Sequence, residues 1–327
     1  MKKIVIFDTA LGTSNVGDEI ILDSIKDNMS DVFDDHFSLR LATHVNNFSM
    51  KQVFHRNTKI RYFQQADWKF ICGTNLIAQT RLGKINSQWQ LYPSNLSIYK
   101  DCVLIGAGTT QSTPKLDFYA KMLYGKVLSK RYIHSVRDDL TKGIVESLGC
   151  RAINTGCPTL WKLTNEHCRR IPTGKAENCI ISVSGYKPQR DESNDARMIE
   201  IIRRNYKNVL VWIQTTDDEK YLDSLPGGSE LGRIYSLRRF RRALEENVDY
   251  VGTRLHGGIY AMQNFRRSLV ISIDHRAEGF HRTNHIPVLR REDISEKLEG
   301  VINSDFPTEI VIDSRAIAEF KLQFLGS

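Results

Sequence analysis

Residues 249–262 read Asp-Tyr-Val-Gly-Thr-Arg-Leu-His-Gly-Gly-Ile-Tyr-Ala-Met. A short aromatic and β-branched run ends near Gly252, and an apolar helical stretch begins near Gly257. The segment therefore reads as strand, turn and helix. Arg254 and His256 lie in the turn, two residues apart, so an extended backbone sets both side chains on one side. Gly257 and Gly258 lack Cβ atoms and are expected to let a ligand approach backbone N–H groups. The helix N-terminus favours an anion by about 0.3–1 kcal/mol. An arginine adds charged hydrogen bonds of roughly 1.5–3 kcal/mol each. Together these features make an anion site with a titratable imidazole at its edge. The competing reading is structural, with Arg254 paired to an acidic residue and His256 capping the helix.

The same strand–turn–helix unit recurs on both sides of this stretch. Lys3–Phe7 is an apolar run, Asp8–Gly17 is rich in turn residues, and Asp18–Met29 carries Ile20, Ile21, Leu22 and Ile25 at helical spacing. Phe70–Cys72 before Gly73, Cys102–Ile105 before Gly106, and Tyr132–Val136 before Arg137 are further strand ends. Leu140–Leu148 is a helix closed by Gly149. A polar seam, Asn165–Asn178, contains Pro172 and Gly174, and the alternation then restarts. Strands are expected at Cys179–Val183, Val209–Ile213, Tyr250–Val251 and Leu269–Ile273. Helices are expected at Asp195–Asn205, Glu219–Leu225, Leu237–Asn247, Gly257–Asn264 and Ser314–Phe324. Such alternation predicts α/β architecture: two doubly wound parallel-sheet domains facing a cleft, with ligands beyond the C-terminal strand ends. The expected boundaries are 1–168 and 178–327, with the C-terminal helix free to pack back on the first domain.

At 327 residues the chain fits about two domains. Hydrophobic residues make up 41% and charged residues 26%, which excludes global disorder. No apolar run reaches the ~18 residues of a spanning helix. At the N-terminus, Ile4–Phe7 is interrupted by Asp8, which is too short for the ~7–15 residue apolar region of a secretion signal. A cytoplasmic location is expected. The six cysteines form no Cys-x-x-Cys pair, so zinc and redox motifs lack support and buried thiols are expected.

The net charge of +8 suggests an anionic partner: a phosphorylated small molecule, a membrane surface or nucleic acid. The run Arg238, Arg239, Arg241 and Arg242 lacks the interleaved aromatics of single-strand binders. It reads best as a solvated helix face, and no nucleic-acid partner is expected.

Further candidates stand at other strand ends. Ile271–Ile273 runs into Asp274-His-Arg-Ala-Glu278, so His275 and Arg276 are expected beside the first cluster, as part of a site rim or of a solvated loop. His281 and His285 read as structural, and the histidines match no metal spacing. Thr13-Ser-Asn-Val-Gly-Asp-Glu19 has neither a dinucleotide nor a phosphate-loop glycine pattern. Its acidic pair suits a hydroxyl-rich ligand or compensation of the helix dipole. Gly73-Thr-Asn75 and Gly106-Ala-Gly-Thr109 could line the same cleft. Arg137 and Asp138 form a local ion pair or touch substrate.

Asn15-Val-Gly-Asp-Glu19, Ser135-Val-Arg-Asp138, Asn154-Thr-Gly-Cys-Pro158 and above all Val251-Gly-Thr-Arg-Leu-His-Gly257 resemble the polysaccharide pyruvyl transferase family. The resemblance implies two Rossmann-like domains in the GT-B arrangement. It implies transfer of pyruvate from phosphoenolpyruvate, as co-substrate, to sugar hydroxyls, usually as a cyclic ketal, with no metal and no redox cofactor. Arg254 and the helix N-terminus, with Gly257 and Gly258, would hold one anionic group, and His275 or Arg276 the other. His256 would act as general acid/base or as a phosphate ligand. Asn15, Asp18, Glu19 and Arg137 would hold the acceptor, free or lipid-linked, with a position at the inner membrane face left open. Two other readings stay open: a GT-B glycosyltransferase with a nucleotide-sugar donor, and a non-catalytic sugar- or phosphate-binding protein.

Overall fold

Strands covered by helices on both faces are apolar at consecutive positions, and each face then feeds its own core. The computed structural model describes residues 1–54, 58–81, 84–85, 88–109 and 115–325, and its central strands follow this rule. The chain divides into two compact units. Unit 1 comprises Met1–Thr13, Ile21–Trp161 and Asp313–Ser327, and unit 2 comprises Ser14–Ile20 and Lys162–Ile312.

In unit 1, β1 (Lys3–Asp8), β2 (Phe37–Ala42), β3 (Trp68–Cys72) and β4 (Cys102–Ile105) form a parallel sheet in the order β2-β1-β3-β4. Ile4 and Ile6 enter one core with Phe70, and Val5 and Phe7 enter the other with Ile71 and Leu104. Beyond β4 lie β5 (Ile133–Val136) and β6 (Arg151–Asn154), paired in parallel. Side chains bridge β4 to β5: the Leu104 amide donates to His134 Nδ1 at 3.1 Å, and the Gly106 amide to Ser135 Oγ at 2.9 Å. Helices α1 (Asp18–Asn28), α2 (Phe118–Val127) and α3 (Asp139–Ser147) connect strands. Gly149 takes φ +73° just past the end of α3, as its place after the predicted helix requires. The C-terminal helix Ser314–Leu322 also belongs to unit 1: Phe320 and Phe324 enter the core with Trp161, and Gln323 bonds both the amide (2.8 Å) and the carbonyl (2.9 Å) of Ile133.

The chain passes between units at Trp161/Lys162, earlier than the polar seam suggests. Trp161 packs on Phe320, whereas His167 bonds the Met262 carbonyl at 2.9 Å and stacks on Phe265. Residues 162–168 therefore start unit 2.

Unit 2 contains β7 (Asn178–Ser182), β8 (Val209–Trp212), β9 (Gly232–Ile234), β10 (Val248–Gly252), β11 (Ser268–Ser272) and β12 (Val288–Arg290). They form one parallel sheet, β9-β8-β7-β10-β11-β12. Renumbered within the unit this is 3-2-1-4-5-6, the Rossmann order. Its helices are α4 (Glu192–Asn205), α5 (Thr216–Ser224), α6 (Leu237–Ala243), α7 (Leu255–Gln263), α8 (His275–Asn284) and α9 (Ile294–Asn303). One face buries Ile181, Val211 and Val251 under α4, α5 and α9. The other buries Ile180, Trp212 and Tyr250 with Phe240 and Tyr260. Helix α6 ends at Ala243, short of Asn247, and Arg238, Arg239, Arg241 and Arg242 are exposed along it. At the N-terminal strand edge, Arg267 and Asp249 form a buried ion pair at 2.9 Å, with Arg267 also bonding the carbonyls of Val301, Ile302 and Ser304 at the end of α9. All six cysteines are buried, and none of them forms a disulfide. Among the described residues no helix is long and apolar enough to cross a membrane.

Candidate functional site

In the Rossmann order the crossovers from the two central strands leave in opposite directions, which opens a crevice beyond their C-terminal ends. Here those strands are β7 and β10. The ends of β7, β8 and β10 meet at the carboxylate of Asp218, whose side chain is 1% exposed. Asp218 Oδ1 accepts the Gly185 amide at 2.7 Å and Arg254 Nη2; Oδ2 accepts the amides of Gln214 and Thr215, both at 3.2 Å. Asp218 also sits in the first turn of α5, where Thr215 and Asp218 form a reciprocal capping box. One buried charge thus ties three strand ends together.

Arg254 is held at two further points. Its amide donates to Ser182 Oγ at 3.1 Å, and its carbonyl accepts the Tyr250 hydroxyl at 2.9 Å. Ser182 Oγ and the Tyr250 hydroxyl are 2.6 Å apart. The side chain of Arg254 is 17% exposed, and its Nε is buried without a partner. The structural alternative for Arg254, pairing with a carboxylate, is therefore present, and Asp218 is that partner. Asp218 falls between the strand expected at Val209–Ile213 and the helix expected at Glu219–Leu225, and nothing in the local sequence marks it as that partner. No spacing rule links residues 36 positions apart.

Helix α7 begins at Leu255, not Gly257, so Arg254 is its N-cap residue and His256 lies in its first turn. This start overturns the expectation for Gly257 and Gly258. Their amides bond the Arg254 carbonyl at 3.0 and 3.2 Å, so they serve the helix. Their missing Cβ atoms face the sheet: one on Gly257 would lie 2.6 Å from the Tyr250 hydroxyl and 2.8 Å from Trp212, and one on Gly258 would lie 2.6 Å from Val270 Cγ2. These glycines let helix meet sheet rather than ligand meet backbone. His256 is partly buried.

The segment Asn15–Glu19, expected on the first domain, lies in unit 2 with Arg254. The Val16 amide donates to the Gln214 carbonyl at 3.0 Å, and Ile20 enters the core beside Trp212 and Tyr250. Within the turn, Asn15 Oδ1 accepts the Gly17 amide at 2.9 Å, and Asn15 Nδ2 lies 3.4 Å from Asp18 Oδ1. Asp18 is buried and Glu19 exposed. Arg137, expected on the same side, is in unit 1. Its Nη2 bonds Asn75 Oδ1 and its Nε is 3.8 Å from Asp138 Oδ2, while Gly108 leaves the space its guanidinium fills.

The stretch after β11 is helix rather than loop. Asp274 caps α8, and its Oδ2 accepts Arg276 Nη2 at 2.7 Å, Arg276 Nε at 3.0 Å and Gln189 Nε2 at 3.0 Å. Burial opposes the Asp274 charge, but the Arg276 bonds outweigh it and hold the carboxyl below its ordinary range. Arg276 thus spends its fork on its own helix cap. His275 is exposed and faces a hollow of about 700 Å³, shared with Arg282 and Arg290. Neither residue has a described bond to the Asp218–Arg254 cluster. Among the described residues no group of His, Cys, Asp and Glu is arranged to hold a metal ion.

The chain was compared with known proteins. A family model described as polysaccharide pyruvyl transferase matches residues 15–275. No curated protein matches in sequence. Among solved structures, the UDP-GlcNAc 2-epimerase of Methanocaldococcus jannaschii aligns with TM-score 0.54 at 11% identity, covering 99% of each chain. The S. aureus MnaA–UDP co-structure aligns with TM-score 0.51 at 12% identity, covering 100% of this chain and 98% of the other. At such identity the likeness shows the fold: parallel-sheet α/β of the GT-B kind.

Proposed function

The chain belongs to the polysaccharide pyruvyl transferase family, and from that premise we propose that it moves the pyruvyl group of phosphoenolpyruvate onto two hydroxyls of a sugar or polysaccharide, closing a pyruvate ketal. The observation that carries this reading is the placement of Arg254 as N-cap residue of α7 and of His256 in its first turn, beyond the central strands of the Rossmann sheet.

Phosphoenolpyruvate brings a carboxylate and a phosphate. Arg254, aligned by Asp218, and the N-terminus of α7 hold one of them. The methylene carbon takes up a proton, and the neighbouring carbon gains oxocarbenium character. One sugar hydroxyl attacks that carbon and loses its proton. A second hydroxyl then displaces phosphate, and its proton leaves with the phosphate. In balance, two carbon–oxygen bonds to the sugar form, the bond to phosphate breaks, and the methylene becomes a methyl group. His256 is the acid/base group beside the donor, a role worth typically ~10²–10⁴-fold, or it binds the phosphate. Asn15, Asp18 and Glu19, placed in unit 2 with Arg254, stay candidates for the acceptor hydroxyls. The reaction is assigned to the cytoplasm, on a free or lipid-linked acceptor.

The test is phosphate release from phosphoenolpyruvate against a panel of acceptors, with thermal shifts measured in parallel. Stabilisation by phosphoenolpyruvate and phosphate release together support the proposal. His256→Ala is expected to lower turnover at least tenfold with its melting temperature kept. Stabilisation by uridine diphosphate instead would point to a nucleotide-sugar glycosyltransferase, the ligand class named for the two fold neighbours. Binding of phosphoenolpyruvate without turnover on any acceptor would point to a binding protein.

A further inference from the structure

Gln214 is 4% exposed, yet its Nε2 has no hydrogen-bond partner. A buried donor left unmade is costly, and an apolar side chain of the same size would serve the fold better. The backbone around it is fully used: the Gln214 amide donates to Asp218, and its carbonyl accepts from Val16. The carboxamide alone is idle.

Its position says what it is for. Trp212 ends β8, and Gln214 lies two residues on, which in an extended chain projects it to the same face, closer to the C-terminal edge. On that face Trp212 packs under Gly257 of α7. At that edge Gln214 and Arg254 share one carboxylate, Asp218, which accepts the Gln214 amide at Oδ2 and Arg254 Nη2 at Oδ1. Arg254, the cap of α7, also carries an unpartnered buried nitrogen, Nε. Two idle donors thus sit on residues that bond the same carboxylate, and one of those residues caps α7.

We propose that Gln214 is a ligand-binding residue, its carboxamide donating to an anionic oxygen of the donor held at the start of α7. The inference rests on the anion-binding reading of Arg254 above and adds a neutral contact to it. It also gives the Asn15–Glu19 turn a part. A Cβ on Gly17 would collide with Gln214 Oε1, so glycine at 17 leaves the carboxamide its place. Gly17 needs no unusual φ, and the atom in the way is the end of a flexible side chain. Gly17→Ala should therefore swing the carboxamide aside and leave the fold intact.

The experiment is calorimetric titration of the full chain with phosphoenolpyruvate and, separately, with uridine diphosphate. The proteins are wild type, Gln214→Leu, Gly17→Ala and the double variant. The expected result is binding of phosphoenolpyruvate by wild type and at least tenfold weaker binding by Gln214→Leu, the scale of one hydrogen bond to a charged group. The ligand-free melting temperature of Gln214→Leu should be unchanged or higher, because an unmade donor is gone. Gly17→Ala should weaken binding in the same direction, and the double variant should be no weaker than Gln214→Leu. Binding by Gln214→Leu within twofold of wild type, or additive losses in the double variant, would overturn the inference. If wild type binds uridine diphosphate and not phosphoenolpyruvate, the functional reading fails, and the same four titrations with uridine diphosphate decide Gln214 alone. If wild type binds neither anion, both fall.

Discussion

Arg254 donates through Nη2 to Oδ1 of Asp218, a carboxylate 1% exposed that also receives the Gly185 amide at 2.7 Å. The pair makes a flexible cation into an oriented one. An exposed arginine loses rotamer freedom when it binds a ligand, whereas Arg254 has lost much of it on folding. The consequences can be measured.

Asp218→Asn keeps the size of the side chain and removes its charge. We expect KM for phosphoenolpyruvate to rise about tenfold or more, the scale of a charged hydrogen bond, with kcat changed much less. Steady-state phosphate release reads the split. An unchanged KM would mean that Ser182 and Tyr250 align Arg254 without the carboxylate.

Gly258→Ala separates the two readings of the glycine pair. The new Cβ would lie 2.6 Å from Val270 Cγ2 and 2.9 Å from Ser268 Oγ. Such overpacking costs about 1–3 kcal/mol, so the urea midpoint should fall while the donor KM of the folded enzyme stays put. A variant of normal stability with a raised KM would return Gly258 to the ligand.

The pH dependence of stability is expected to carry the signature of His134. Burial lowers its imidazole from 6.5 to about 4. The ring accepts the Leu104 amide at Nδ1, so its Nε2–H donates to the Ser129 carbonyl at 2.8 Å. A protonated ring loses that acceptor. The unfolded chain takes up the proton more readily than the folded one, so this contribution is complete above pH 6.5 and is lost as pH falls from 6.5 towards 4. A shift of this size corresponds to about 3 kcal/mol. Urea unfolding at pH 7 and pH 5 should show a larger loss in wild type than in His134→Gln, whose carboxamide can still accept the Leu104 amide. Equal losses in both proteins would clear His134 of the effect.

The strand-and-helix alternation was legible from local residues. An apolar run of four to six residues before a glycine, or a helix ended by Gly149, depends on neighbours within a few positions, and there β1, α1, α3 and β11 lie where expected to within a residue or two. The Arg254–His256 stretch was legible for the same reason. Three things were not. The first is the start of α7 two residues early, which turned Gly257 and Gly258 from ligand contacts into packing contacts with Tyr250, Trp212 and Val270. The second is the commitment of Arg276 to Asp274, which follows from a helix cap where a loop was expected. The third is the company Arg254 keeps.

Taken alone, the sequence determined that this chain is α/β, where its strands end, and that an arginine and a histidine stand at one such end. Only the tertiary structure decided that β7 and β10 are neighbours, that Asn15–Glu19 belongs with unit 2, and that Asp218 bonds both Arg254 and the Gln214 amide. Parallel strands are joined by long crossovers, so the neighbour of a strand is chosen by how whole helices and sheets bury their faces. A run of valines and isoleucines records that it is buried, and carries no mark of which run lies beside it.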